Sequence, residues 1–171
     1  MPISTYIRAI RQKIGTDLLP IAAVTALIFN DRGEILLQRA HDDGEWHTIG
    51  GALDPGENPA DAVVREVFEE TGRRVTPLRI VGVYSDPPTV YSNGDRVIYV
   101  STTFLCRIIN TVSDATLPNL DPPLPADDES LEFRYFPLND LPQLLPGQRH
   151  RIEQALKYQD LAYFEWNEKT T

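Results

Sequence analysis

An intramolecular disulfide framework is excluded at once, because the 171 residues include a single cysteine, Cys106. It lies in an apolar, strand-like run, where a buried inert thiol is expected rather than a nucleophile. No apolar stretch is long enough to span a bilayer and no secretory pattern opens the chain. No membrane partner and a cytoplasmic location are therefore expected. Basic residues are in deficit: 16 Lys and Arg against 25 Asp and Glu leave a formal charge of −9. A general nucleic-acid binder needs a basic footprint, so a nucleic-acid polymer is not the expected partner. A small phosphorylated molecule is still admitted, since a bound cation reverses the local sign. His41, His47 and His150 have no ligand-like spacing and are assigned no metal; His47 reads as a satisfied structural residue. A composition of 42% hydrophobic and 24% charged residues is ordinary for a globular protein. The length suits one domain with a substantial core.

What the chain has in excess is acid in one short stretch, GALDPGENPADAVVREVFEETGRR, residues 51–74. Glu57, Glu66, Glu69 and Glu70 sit on or beside one expected helix. Two like charges ~4 Å apart repel by about 4 kcal/mol at a near-surface effective dielectric, so such a group calls for cations. Glu69 and Glu70 lie three and four residues after Glu66, on neighbouring parts of one helical face. Arg65, four residues before Glu69, is placed to pair with it. Carboxylate oxygens are hard ligands and the stretch holds neither Cys nor His, so Mg²⁺ or Mn²⁺ is expected rather than zinc. Mg²⁺ keeps several waters and takes other ligands from substrate phosphates. The helix thus reads as a phosphate site built through metal. Gly50-Gly51 permits a tight bend, Asp54-Pro55-Gly56 a turn, Asn58 an N-cap, Pro59 the first helical position and Gly72 the C′ position. Val63 with Val67, and Val64 with Phe68, form i, i+4 apolar pairs that could dock the opposite side on a core.

These residues resemble the Nudix hydrolase signature, G-x5-E-x7-R-E-U-x-E-E-x-G-U, with U bulky and apolar. Gly51, Glu57, Arg65, Glu66, Glu69, Glu70 and Gly72 fill the fixed positions at the right spacing, and Val67 fills the first U. The last position departs: Arg73 stands where an aliphatic residue is usual, which affects packing rather than a ligand. Before the signature, Thr48-Ile49-Gly50-Gly51 replaces the Leu-Pro-Gly-Gly of many members. A solvated acidic helix would explain Glu66 and Glu70, but not Gly51, Glu57 and Gly72 at the required offsets as well.

Elsewhere, residues 4–14 read as a helix with Ile3, Ile7, Ile10 and Ile14 at helical spacing. It covers a sheet edge or mediates dimerisation; the sequence does not choose. Residues 21–29, the turn Asn30-Asp31-Arg32-Gly33 and residues 34–39 read as a β-hairpin. Strands are expected at 78–84, 96–109 and 131–136, a turn at 85–95, and a long proline-rich loop at 110–128. Residues 137–145 resemble the turn and short helical segment common late in the family, and a closing helix is expected over 148–163. Arg149 and Arg151 on it are expected to face solvent. The order implies, with the resemblance, an α+β Nudix fold: a mixed β-sheet sandwiched between helices (α/β/α). It forms a single domain over 1–171, with an N-terminal helix at 1–15 and the signature loop and helix at 51–73.

The resemblance further implies hydrolysis of a nucleoside diphosphate linked to another group, a small-molecule nucleotide such as ADP-ribose or a nucleotide sugar. Glu66, Glu69 and Glu70 are then the core metal ligands, with Glu57 direct or through water and a carbonyl from Gly50 or Gly51 added. Arg65 orients a glutamate. The general base comes from the signature helix or a later loop, where Glu129 is favoured over Asp127 and Asp128; that triplet reads equally as a solvated loop. Arg39 is a candidate for substrate phosphate, and Trp46, Tyr84 and Tyr91 for stacking on a base, with packing roles equally open. A homodimer is expected by analogy alone. Competing readings are a nucleoside triphosphate pyrophosphohydrolase, a non-catalytic nucleotide sensor on the same fold, and an RNA-end processing enzyme, which the acidic balance disfavours.

Overall fold

The computed structural model describes residues 5–41, 43–109, 122–123, 125–126 and 130–164. The expected helix at the start is α1 (Thr5–Ile14). It is followed by β1 (Leu19–Ile28), β2 (Ile35–Ala40), β3 (Trp46–His47), α2 (Pro59–Thr71) and β4 (Val75–Ser85). Then come β5 (Thr89–Val90), β6 (Arg96–Ile108), β7 (Ser130–Phe136) and α3 (Pro146–Lys157). Two sheets form. The first is mixed, with order β1-β6-β4 and β5 also on β6; β1 runs parallel to β6, and β4 and β5 antiparallel to it. The second is antiparallel, β3-β2-β7.

The expected hairpin of residues 21–39 opens. Its turn closes as read, with Gly33 N–H donating to Asn30 O, and Asn30 N–H to Glu34 O. Beyond the single bridge Phe29–Ile35, however, β1 and β2 part into different sheets. Both faces of β1 are wanted elsewhere. Val24, Ala26 and Ile28 pack with Val63 and Val67 of α2, while Leu27 packs with Val81, Ile35, Leu37 and Ile152 of α3. A strand buried on both sides reads as a continuous apolar run, which is what residues 21–28 show. The two cores thus lie on opposite sides of the mixed sheet, each covered by one of the long helices.

Three further expectations shift. The closing helix stops at Lys157, not Tyr163. Tyr163 instead bridges to Gly82, its N–H donating to Val81 O at 2.7 Å and its ring stacking on Tyr84 at 5.8 Å. A Cβ on Gly82 would lie 2.6 Å from Tyr163 O, so only glycine admits this returning segment. Residues 137–145 form a turn without a helix. Arg151, expected in solvent, is 4% exposed, because α3 lays this face on the mixed sheet. Cys106 is buried, and desolvation pushes its thiol up to about 12, so the inert reading stands. Among the described residues no helix is long and apolar enough to cross a membrane.

Candidate active site

Residues 49–53 run alongside β1. Ala26 N–H donates to Ile49 O, Val24 N–H to Gly51 O and Leu53 N–H to Ala22 O, at 2.8, 2.9 and 3.0 Å. Gly50 has φ 153°, and a Cβ there would lie 2.2 Å from Val24 O. The double glycine is therefore demanded by close approach of two backbones. This apposition fixes where the chain enters α2. Asn58 takes the N-cap backbone conformation, but its side chain donates to Asp61 Oδ2 at 3.0 Å rather than capping. Pro59 starts the helix, and Gly72 ends it in the left-handed conformation at φ 65°, its N–H on Phe68 O.

The packing face of α2 is Ala62, Val63 and Val67, all fully buried. The second expected apolar pair fails at Phe68, which is 44% exposed beneath the Arg74 guanidinium. Glu66 and Glu70 are 5% and 3% exposed, whereas the Glu69 side chain is 53% exposed. The acidic face is thus graded, with two carboxylates drawn under the helix and one outside it.

Arg65 organises this face. Its Nε and Nη2 donate to the two oxygens of Glu57 at 2.9 and 2.8 Å. Nη1 donates to Glu66 Oε1 at 2.8 Å and Glu69 Oε2 at 3.0 Å, and Nη2 also reaches Ala52 O at 3.1 Å. The paired, planar fork is a geometry that lysine cannot copy. Hydrogen bonding from Arg65, aided by Asp54 N–H, holds the Glu57 carboxyl below its ordinary value, and the glutamates push the Arg65 guanidinium up.

Arg65 orients the Glu57 carboxylate: Oε1 accepts from Nε and keeps a lone pair, while Oε2 accepts from both Nη2 and Asp54 N–H. Arg65 bonds Oε1 of Glu66 and Oε2 of Glu69. Among the described residues no three acidic, His or Cys side chains converge into a ready-made metal cage. The donor set nevertheless fits a hard cation that keeps much of its water: two buried carboxylates one helical turn apart, an exposed third and a glycine turn close by. Gly51 O already accepts Val24 N–H and would use its second lone pair.

Next to the glycine turn a cleft of about 210 Å³ opens on the mixed sheet. Asp86, Tyr99, Ser101, Gln148 and Arg151 line it with Gly50, Gly51 and Ala52. Arg151 Nη2 donates to both Asp86 oxygens, at 2.8 and 2.7 Å, and its guanidinium lies 5.1 Å from the centre of the Tyr84 ring. Of these, the sequence marks Gly50 and Gly51 as carbonyl ligands and Tyr84 as a stacking candidate, but it does not mark Asp86, Tyr99, Ser101, Gln148 or Arg151 as ligand contacts. The sequence signals were Asp86 beside Pro87-Pro88 and an arginine on an otherwise amphipathic helix, and neither is specific.

Of the substrate-contact candidates, Arg39 and Trp46 lie away from this cleft and Tyr84 and Tyr91 adjoin it. Arg39 Nε donates to Gly44 O and ties down the 40–45 turn. Trp46 packs edge-on to Phe136 at 4.7 Å, with Arg134 over it. Tyr84 lies behind Arg151, and burial pushes its hydroxyl up to about 12. Tyr91 shares a 2.6 Å hydrogen bond with Tyr99 at the cleft. His47 bonds Asp43 and Gln148 through its two ring nitrogens, as a structural histidine does. Glu129, with Asp127 and Asp128, lies outside the described residues.

Comparison with known proteins agrees with this geometry. A family model described as the NUDIX domain matches residues 19–157. An ADP-ribose pyrophosphatase of Methanocaldococcus jannaschii is 29% identical over 87% of this chain and 80% of its own length. A MutT NUDIX hydrolase from Burkholderia pseudomallei superposes with a TM-score of 0.60 at 26% identity, over 80% of this chain and 98% of its own. A UDP-X diphosphatase shares the fold, with a TM-score of 0.63 at 21% identity, over 90% and 70% of the two chains. The match spans most of the chain, with both sheets, α2 and α3 inside it, and the chain belongs to the Nudix family as a Nudix-type pyrophosphohydrolase.

Proposed function

We propose that the protein hydrolyses the pyrophosphate bond of a nucleoside diphosphate linked to a second group, of the ADP-ribose or nucleotide-sugar type. The observation that carries this is the length of the likeness to the Methanocaldococcus jannaschii enzyme: it runs over 87% of this chain, far beyond the signature that all such hydrolases share. The cleft beside the glycine turn supports it by giving the rest of the substrate somewhere to lie.

Mg²⁺ or Mn²⁺ would be held by Glu66 and Glu70 with Glu69, and by a carbonyl of the Gly50-Gly51 turn. When bound, such an ion polarises phosphorus, lowers the pKa of a water and stabilises the leaving phosphate. The protein's own residues supply position. Arg65 orients Glu66 and Glu69 by bonding one oxygen of each. Its fork on Glu57 ties the loop before α2 to the helix. Burial of Glu66 and Glu70 fixes their rotamers before any substrate arrives. Glu129 is proposed as the base that takes the proton from the attacking water. A cytoplasmic location and a homodimer complete the proposal, to be checked by fractionation and analytical ultracentrifugation.

The test is a hydrolysis screen with Mg²⁺ and with Mn²⁺ over ADP-ribose, nucleotide sugars and nucleoside triphosphates, with products identified. Release of a nucleoside monophosphate and a phosphorylated sugar is expected. Turnover of triphosphates alone, with release of pyrophosphate, would overturn the substrate class. Glu70→Gln should lower kcat at least about 100-fold, equivalent to about 3 kcal/mol of lost transition-state stabilisation. A Glu70→Gln protein as fast as wild type would contradict the ligand assignment.

A further inference from the structure

The two sheets end on β1 and β4, and on β3 and β7. Most of these edges are closed. Residues 49–53 cover β1, with Ala26 N–H on Ile49 O and Val24 N–H on Gly51 O. β4 carries Pro77 and two register shifts, and Tyr163 N–H donates to Val81 O along its outer side. Proline and bulges keep a strand edge from pairing. β3 and β5 are two residues each. The outer edge of β7 is different. Among the described residues no strand pairs with it. Its seven residues, SLEFRYF, hold no proline or glycine. Glu132–Phe136 pair with Arg39–Ile35 of β2 without a register shift. A regular, unpaired edge is a template for another strand.

The side chains of β7 divide by face. Phe133 is buried in the core that α2 covers, and Tyr135 packs against that core. Leu131, on the same face by alternation, is 48% exposed. Glu132 and Arg134 share the other face. Arg134 Nε donates to Glu132 Oε1 at 2.9 Å, and its guanidinium lies 5.3 Å from the centre of the Trp46 ring. The two side chains are 36% and 56% exposed. An acid and a base thus stand side by side on the edge.

The commonest closed assembly of one chain is a two-fold dimer, whose surface must complement itself. Two copies of β7 meet antiparallel about an axis normal to the sheet, so residues of one face stand opposite each other. Centred on Glu132 or on Arg134, the pairing sets like charges opposite, which is destabilising. Centred on Phe133, it sets Glu132 opposite Arg134 of the second copy and Arg134 opposite its Glu132, with Leu131 opposite its Tyr135. Phe133 is also the middle of the strand, so this register has the longest overlap. Chains of formal charge −9 repel one another, and contact needs a place where charge cancels locally.

We propose that the outer edge of β7 is an interface between two copies of this chain, paired antiparallel about Phe133 and joined by reciprocal Glu132–Arg134 ion pairs. This rests on the homodimer reading above and names its surface. One strand pair is small for an interface, so the dimer should dissociate on dilution through the micromolar range.

Sedimentation velocity of the full chain over a range of concentrations tests it. Glu132→Arg and Arg134→Glu each create like-charged pairs across the interface and should weaken self-association at least about 10-fold. An equimolar mixture of the two should recover a mixed dimer, because each arginine then meets a glutamate. The variant with both changes should dimerise with itself and not with wild type. A fluorescent label on one species of each mixture reads the mixed dimer. If a single variant fails to fold, the double variant decides by pairing with itself and refusing wild type. A wild type that stays monomeric would overturn the proposal together with the homodimer reading. A wild-type dimer that neither single change weakens, or a double variant that pairs freely with wild type, would overturn the proposal alone and move the interface elsewhere.

Discussion

Replacing Arg65 with alanine would remove the guanidinium that joins Glu57, Glu66 and Glu69. The guanidinium makes four bonds to carboxylates, two to Glu57 and one each to Glu66 and Glu69, and a fifth to Ala52 O. A bond to a charged group contributes about 1.5–3 kcal/mol net, but bonds of one group are far from additive. The Arg65 side chain is 28% exposed, which discounts each of them, whereas Glu66, at 6%, would lose its Arg65 bond in a buried setting. A loss of about 3 kcal/mol is the expected balance, a fall of roughly 6–12 °C in Tm for a chain of this size. Arg65→Lys keeps a charge but loses the fork, so it should recover less than half of that. Thermal unfolding by circular dichroism, without added metal, reads both.

The pH dependence gives a second readout. Arg65 holds the Glu57 carboxyl below its ordinary 4.5. A depressed folded value contributes stability that is present above 4.5 and lost as pH falls through the folded value. Wild type should therefore lose stability more steeply than Arg65→Ala below about pH 4.5. Adding Mg²⁺ should raise the Tm of Arg65→Ala more than that of wild type, since a cation returns to the abandoned carboxylates. If Arg65→Ala melted within a degree of wild type, the reasoning would be wrong.

Two further outcomes follow from close contacts and burial. Gly50→Ala would set a Cβ 2.2 Å from Val24 O in a backbone conformation alanine disfavours. It should destabilise the protein by more than about 3 kcal/mol, seen as a drop in the urea midpoint; wild-type stability would refute the close approach of the glycine turn to β1. Cys106, its thiol pushed up to about 12 by burial, should stay unlabelled by a chromogenic disulfide reagent at pH 8 until the protein unfolds. Labelling in native buffer much faster than unfolding would contradict it.

The signature was legible because it is local. The glycine turn, the proline at the start of α2, its left-handed end at Gly72 and the i, i+4 partnership of Arg65 with Glu69 all depend on residues within one turn or loop. What escaped was non-local. The strands of the 21–39 hairpin carry their turn correctly, yet each finds a better partner far along the chain: β1 pairs with β6 and β2 with β7. Nothing in residues 21–39 states that β6 exists. The helix ending at Lys157 failed for the same reason, because Tyr163 is claimed by Val81 and Tyr84 rather than by its own neighbours.

The amino-acid order by itself determined the acidic helix, its counter-ion Arg65 and the family, because spacing along a helix converts directly into position on a face. Only the tertiary structure decided that Glu57 belongs to Arg65, that Arg151 is buried on Asp86 65 residues away, and that a cleft opens between β1, β6 and α3. Those facts require strands and a helix remote in sequence to meet. Such a meeting is driven by burial of apolar surface, which has no direction and leaves no local mark in the chain.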